Sequence, residues 1–391
     1  MTSNANLDAL LSRAVNAGEL PNVVAIVGNR DGVVYAGAFG PRTLGEPAAL
    51  TPQSVLWIAS MSKAITCAAA MQFVEQGRLS LDAPAHTILP ALGQTQVLTG
   101  FDAGGKPQLR APRRAITLRH LLTHTAGFGY EFSSADIKRY IDVTGIPSIL
   151  TCTNAALTTP LLFDPGERWE YGTGIEWAGK MVEQISGKPL GQTLQENLLG
   201  PLKMTSTSFK LSADQLGRLA GMHVRTSEGT LKPFPLVMPQ APEFELGGGG
   251  LYSTVHDYLR FMRMLMGEGS LDGVRVLRPE TVAEMVRDQC GEMDCGHMPS
   301  IAPMTSHDVD LFPGERAGWG LSFAINRVAV PQGRSAGSLA WAGLSNCYYW
   351  IDLKRGISAM LSTQLLPFFD PKTMAVLREF ERVVYAGVSA G

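Results

Sequence analysis

Ser60-Met61-Ser62-Lys63-Ala64-Ile65-Thr66-Cys67-Ala68-Ala69-Ala70-Met71-Gln72-Phe73 is the stretch around which the chain organises itself. From Met61 to Gln76 its Ala, Met, Phe and Val residues suit a buried helix, and Gly77 just beyond supplies the usual stop. Ser60 then sits at the helix N-terminus, and one helical turn brings Lys63 onto the same face. A serine hydroxyl is a poor nucleophile at neutral pH. A lysine amine can take its proton only when burial and neighbours lower its affinity for that proton, a shift that a helix N-terminus favours. Alone the spacing is a weak signal: with 25 serines and 10 lysines in 391 residues, about half an accidental match is expected. A surface lysine one turn from a capping serine is the plain alternative.

Working outward, Leu7 to Ala17 reads as a helix, followed by strands Val23 to Val27 and Val33 to Phe39, with Asp31-Gly32 marking the turn between them. The middle of the chain holds short helix-like segments, Thr117 to His124, Gly174 to Ser186 and Leu190 to Leu199, separated by Gly, Pro and Thr clusters. Beyond the run Gly247 to Gly250, helices are expected over Thr254 to Met266 and Pro279 to Arg287. Strands follow over Leu321 to Ile325, Ser338 to Ala342, Tyr348 to Ile351 and Ile357 to Thr363, then a closing helix over Thr373 to Tyr385. Strands at both ends imply one sheet assembled from both termini. The expected fold is α/β (α+β): residues 1–80 and 246–391 form a discontinuous domain with a sheet flanked by helices. Residues 81–245 form a mainly helical subdomain.

Composition narrows the function classes. At 45% apolar and 17% charged, the chain can bury a large core. A formal net charge of -2, with no basic run, removes the field that draws nucleic acid or anionic membranes. No stretch reaches the roughly eighteen apolar residues of a membrane span, and Met1-Thr2-Ser3-Asn4 lacks the start of a secretion signal. Cys67, Cys152, Cys290, Cys295 and Cys347 are odd in number and scattered, which suits a reducing compartment; the cytoplasm is the expected location. Oligomeric state stays open.

The Ser60–Lys63 pair arrives with further motifs in a fixed order. Leu121-Leu122-Thr123-His124-Thr125-Ala126-Gly127, Phe163-Asp164-Pro165-Gly166 with Trp169-Glu170-Tyr171, Pro201-Leu202-Lys203-Met204, Gly248 to Thr254 and Trp341-Ala342-Gly343 span most of the chain. Together they resemble the class C β-lactamase and penicillin-binding-protein superfamily, and within it the family VIII carboxylesterases. The resemblance implies a β-lactamase/DD-peptidase-like fold, its sheet antiparallel and its active site between the two parts, with Ser60 as nucleophile and Lys63 and Tyr171 as its activating partners. It further implies an oxyanion hole from the amides of Ser60 and Leu344, and substrate contacts from Trp341, Ala342, Gly343 and Thr173. No cofactor and no metal are implied; the partner is a small-molecule ester.

Two departures from the lactamase pattern shape the expected activity. Where β-lactamases place a lysine that binds the substrate carboxylate, this chain has Trp341, an apolar face without charge. Where class C enzymes have Tyr-x-Asn, it has Tyr171-Gly172-Thr173. Both resemble the family VIII esterases, so the expectation is hydrolysis of neutral, short-chain acyl esters through a Ser60 acyl-enzyme, with weak β-lactam turnover. The alternatives are a β-lactamase- or DD-peptidase-type amide hydrolase or an acyltransferase and, from another class, a non-catalytic scaffold.

Four competing signals receive plain readings. Gly333-Arg334-Ser335-Ala336-Gly337 matches a nucleophile elbow, but no histidine follows His307 and the segment precedes a strand, so Ser335 is read as a loop residue. His120 and His124 have the four-residue spacing of zinc ligands without the glutamate of H-E-x-x-H, and are read as structural. Cys290, Cys295 and His297 lack a fourth-ligand motif and are placed in a loop near the site mouth; Cys67 is read as core. Gly247 to Gly250 lacks a phosphate-loop ending and is read as close backbone packing beside the site.

Overall fold

A computed structural model describes residues 4–387; the Met1-Thr2-Ser3 start considered above lies outside the described residues. Seven strands form one sheet in the order Ala317–Trp319, Ala324–Asn326, Leu339–Gly343, Cys347–Asp352, Ile357–Ser362, Val23–Asn29, Val33–Phe39. Every neighbouring pair is antiparallel. The join between the two ends of the chain is the Val23–Asn29 strand against Ile357–Ser362, in register from Val24↔Ser362 to Asn29↔Ile357.

Successive strand residues point to opposite faces, and the aromatic residues of Cys347–Asp352 show what covers each. Tyr349 packs against Tyr258 of helix Val255–Met266. Trp350 packs against Phe380 of helix Pro371–Ala386. Helix Asn4–Asn16 accompanies the latter, while the Ser62–Glu75 helix is buried on nearly every side, apolar all round rather than along one stripe. That helix packs on Gly174–Ser186, so the strongest apolar segment of the sequence is fixed against the middle of the chain.

One expectation needs correction. The strand foreseen over Leu321 to Ile325 is instead a turn followed by Ala324–Asn326: the Gly320 amide bonds the Phe323 carbonyl and Ser322 adopts φ 70°. The turn reverses the chain from Ala317–Trp319, a strand too short to show periodicity in sequence. The middle of the chain carries short strands beside its helices. It carries the hairpins Val97–Phe101 with Pro107–Arg110 and Met222–Arg225 with Leu231–Phe234, and Met222–Arg225 pairs in parallel with Leu365–Leu366. No helix among the described residues is long and apolar enough to cross a membrane.

Candidate active site

Ser60 lies in a single 3-10 turn, Ala59–Met61, that runs directly into the Ser62–Glu75 helix. Ala59 holds φ 44°, a left-handed backbone that costs an L-residue about 1–3 kcal/mol and persists only where its surroundings impose it. Ser62 helps impose it: its hydroxyl donates to the Ala59 carbonyl at 2.6 Å and accepts from the Leu251 amide at 3.1 Å. Lys63 is 1% exposed. Its Nζ donates to Ser60 Oγ at 3.1 Å and to the Gly248 carbonyl at 2.6 Å.

The glycine run acts through its backbone. Three successive carbonyls, of Gly247, Gly248 and Gly249, accept from Thr66 Oγ1 at 2.7 Å, Lys63 Nζ at 2.6 Å and Trp57 Nε1 at 2.8 Å. This is close packing beside the serine, with one carbonyl used to fix the lysine.

Tyr171 is brought in by two motifs that lie far apart in sequence and pair through their backbones. The Leu162 amide bonds the Gly127 carbonyl, Gly166 bonds Thr125 and Glu170 bonds His124, at 2.7, 2.7 and 2.9 Å. The Gly172 amide then donates to His124 Nδ1 at 3.4 Å. His124 is therefore a brace for the Tyr171 segment, and burial, helped by Lys63, holds it well below the usual histidine range. His120 closes a capping box with Thr117. Asp164 anchors the same segment through paired bonds to Arg110 and a bond from the Arg113 amide.

The Tyr171 ring sits in an aromatic cluster, with His124 at 4.6 Å, Trp341 at 4.9 Å and Tyr130 at 5.2 Å between centroids. Lys63 Nζ lies 4.7 Å from the ring centre. The Tyr171 hydroxyl accepts a hydrogen bond from Trp341 Nε1 at 3.1 Å. The sequence reads Trp341 as an apolar face without charge; its side chain also supplies a donor aimed at the phenol oxygen. Trp319, from the strand the sequence did not reveal, backs Trp341 edge-on at 4.5 Å.

The pocket is lined by Ser60, Tyr171, Trp341, Ala342 and Leu344, together with the apolar groups of Phe132, Ile149, Leu150, Met298, Val309 and Phe368. Gly343 does not line it but makes it possible. A Cβ there would collide with the Ile58 carbonyl and meet Ala59 Cβ at 3.3 Å, so glycine lets the strand approach the serine turn and carry Leu344 to the pocket. Thr173 departs from expectation. It is buried, its hydroxyl has no partner among the described residues, and it does not line the pocket, because it sits at the N-cap of Gly174–Ser186. Segments at 130–133, 149–150 and 298–309, together with Leu246, shape the rest of the pocket.

Glu176 and Tyr130 also line the pocket and were not among the expected site residues. Glu176, 1% exposed, accepts from the Tyr130 hydroxyl at 2.8 Å, and burial raises its affinity for a proton against the opposing pull of Lys63. The available signal was a carboxylate in the apolar first turn of Gly174–Ser186, five residues after Tyr171. Elsewhere the plain readings stand: Ser335 lies in a loop outside the pocket with its amide on Asp352, and burial pushes the Cys67 thiol up to about 12. No group of three or more metal-ligating side chains occurs among the described residues.

Comparison with known proteins places this geometry. The family profile described as Beta-lactamase matches residues 7–380. The chain is 32% identical to monacolin J acid methylbutanoyltransferase of Aspergillus terreus (strain NIH 2624 / FGSC A1156), over 98% of this chain and 96% of that protein. It is 31% identical to lovastatin esterase of Penicillium rubens, over 98% and 99%. The unliganded simvastatin synthase (LovD) from Aspergillus terreus, as its selenomethionyl derivative, superposes with a TM-score of 0.87 at 31% identity, covering all of both chains. The chain thus belongs to the beta-lactamase family, within the class C β-lactamase and penicillin-binding-protein superfamily of serine hydrolases and acyltransferases.

Proposed function

We propose that this protein hydrolyses neutral carboxylic esters through an acyl-enzyme on Ser60. The observation that carries the reading is the pairing of Ser60 Oγ with the buried Lys63 Nζ at 3.1 Å, beside a tyrosine whose oxygen is held by Trp341, in an apolar pocket. Ser60 Oγ attacks the ester carbonyl as its proton passes to Tyr171 or Lys63; the C–O bond breaks and the alcohol leaves with a proton. Water then attacks the acyl-enzyme by the reverse relay, releasing the acid and restoring Ser60. The Ser60 and Leu344 amides are the proposed oxyanion donors, a role worth several kcal/mol of transition-state stabilisation.

Trp341 and the apolar lining support a neutral substrate, since no cationic side chain lines the pocket among the described residues. β-Lactam turnover is accordingly weak in this reading. Five buried, unpaired cysteines fit a reducing compartment, and we place the protein in the cytoplasm.

A second reading uses the same acyl-enzyme with an alcohol as acceptor in place of water. The 32% identity to a methylbutanoyltransferase favours it, as the 31% identity to an esterase favours hydrolysis. The test is release of nitrophenol from 4-nitrophenyl butyrate with and without a secondary alcohol, the products being resolved by mass spectrometry. Acid alone establishes the hydrolase; the alcohol's butyrate ester as main product establishes the transferase. No Ser60-dependent product would leave only a scaffold.

A further inference from the structure

Glu176 is the only charged side chain among the described residues that line the pocket. One carboxylate oxygen accepts from Tyr130, while the other is buried without a hydrogen-bond partner. Tyr130 in turn lies over Lys63, with Nζ 5.2 Å from its ring centre. Gly248 stands between the two charges: its carbonyl accepts from Lys63, and a Cβ on it would collide with the Glu176 carboxylate. Lys63 has no carboxylate within salt-bridge distance among the described residues, and Glu176 is the pocket carboxylate whose field reaches it.

Resting on the Ser60 reading above, we propose that Glu176 is ionised and is a positioning residue: its carboxylate holds Lys63 Nζ between Ser60 Oγ, the Gly248 carbonyl and Tyr171. The same charge makes the pocket reject anionic acyl groups. The titratable groups around it are Lys63, Tyr130, Glu131 and Cys152, with Tyr171 packed against Tyr130 and His124 against Tyr171. A negative charge beside any proton acceptor in this set makes that acceptor hold its proton more tightly. Removing the charge therefore moves the acidic limb of the rate profile to lower pH, whichever group is the base.

The test is Glu176→Gln, which keeps an acceptor for Tyr130, with Glu176→Asp as the rescuing variant and thermal melting to verify folding. Two readouts are taken: the pH profile of kcat/KM on 4-nitrophenyl hexanoate, and the preference for that ester over its anionic analogue 4-nitrophenyl hydrogen adipate. The expected result is an acidic limb displaced downward by about half to one pH unit and a preference narrowed by about tenfold, both restored toward wild type by aspartate. Either readout left at the wild-type value in the folded glutamine variant overturns the proposal, even if the rate falls. Intact-mass detection of the Ser60 adduct in wild type separates this failure from a failure of the ester reading: with the adduct present only the Glu176 role is lost, and with it absent both are lost.

Discussion

Trp341 Nε1 donates to the phenol oxygen of Tyr171 at 3.1 Å, where lactamases of this superfamily would present a lysine. A neutral donor steadies charge developing on that oxygen without offering a cation to a substrate carboxylate. Trp341→Phe keeps the aromatic packing and removes the donor. It is expected to lower kcat on 4-nitrophenyl butyrate about tenfold with little change in KM, the loss of one hydrogen bond of about 1–1.5 kcal/mol. Steady-state kinetics at pH 7.5 check this, and an unchanged kcat would show that the bond has no part in turnover.

Lys63→Ala and Tyr171→Phe each remove one member of the proposed proton relay and should each cost at least about 100-fold in kcat. Ser335→Ala alters a loop whose amide is tied to Asp352 outside the pocket, so activity should stay within about twofold of wild type. An inactive but folded Ser335→Ala would redirect the search for the nucleophile.

Gly343→Ala tests whether the close approach of strand and serine turn matters. The added Cβ collides with the backbone carbonyl of Ile58, which a side-chain rotation cannot relieve, so the Leu344 amide must move away from Ser60. Activity should fall by about 100-fold or more, the scale of losing one oxyanion donor, while circular dichroism still reports a folded protein. Near-wild-type activity would rule Leu344 out of the oxyanion hole.

The motifs were legible because each is local: the Ser60–Lys63 turn, the glycine run and the Tyr171 segment all stand where their spacing puts them. What sequence could not supply is which distant groups meet. Trp319 sits on a three-residue strand too short for any periodicity to register, yet it backs Trp341. Glu176 reads in sequence as an ordinary first-turn acid, which helix dipoles favour anyway, and only the folded chain sets it beside Gly248. Thr173 was placed in the pocket by analogy with an asparagine, but its hydroxyl ends in the N-cap region, away from the pocket surface.

Asp164 supplies a pH test of stability. Its bonds to Arg110 hold its carboxyl down at about 2, below the roughly 3.9 of an unfolded chain. A depressed carboxyl stabilises the fold above the unfolded value and loses that contribution as pH falls through the folded one. Asp164→Asn should therefore lower Tm at pH 7, and the gap from wild type should close between about pH 4 and pH 2. A gap constant across that range in calorimetry would mean that packing, not charge, is what the substitution removes.

The central claim is that Ser60 carries the acyl group from a neutral ester. Intact-mass spectrometry of the rapidly quenched protein, mixed with 4-nitrophenyl butyrate or with nitrocefin, tests it directly in wild type and Ser60→Ala. The expected result is a butyryl adduct on wild type, mapped to Ser60 and absent from Ser60→Ala, with fast nitrophenol release and little nitrocefin turnover. An adduct that persists in Ser60→Ala, or nitrocefin cleaved more efficiently than the ester, would contradict it.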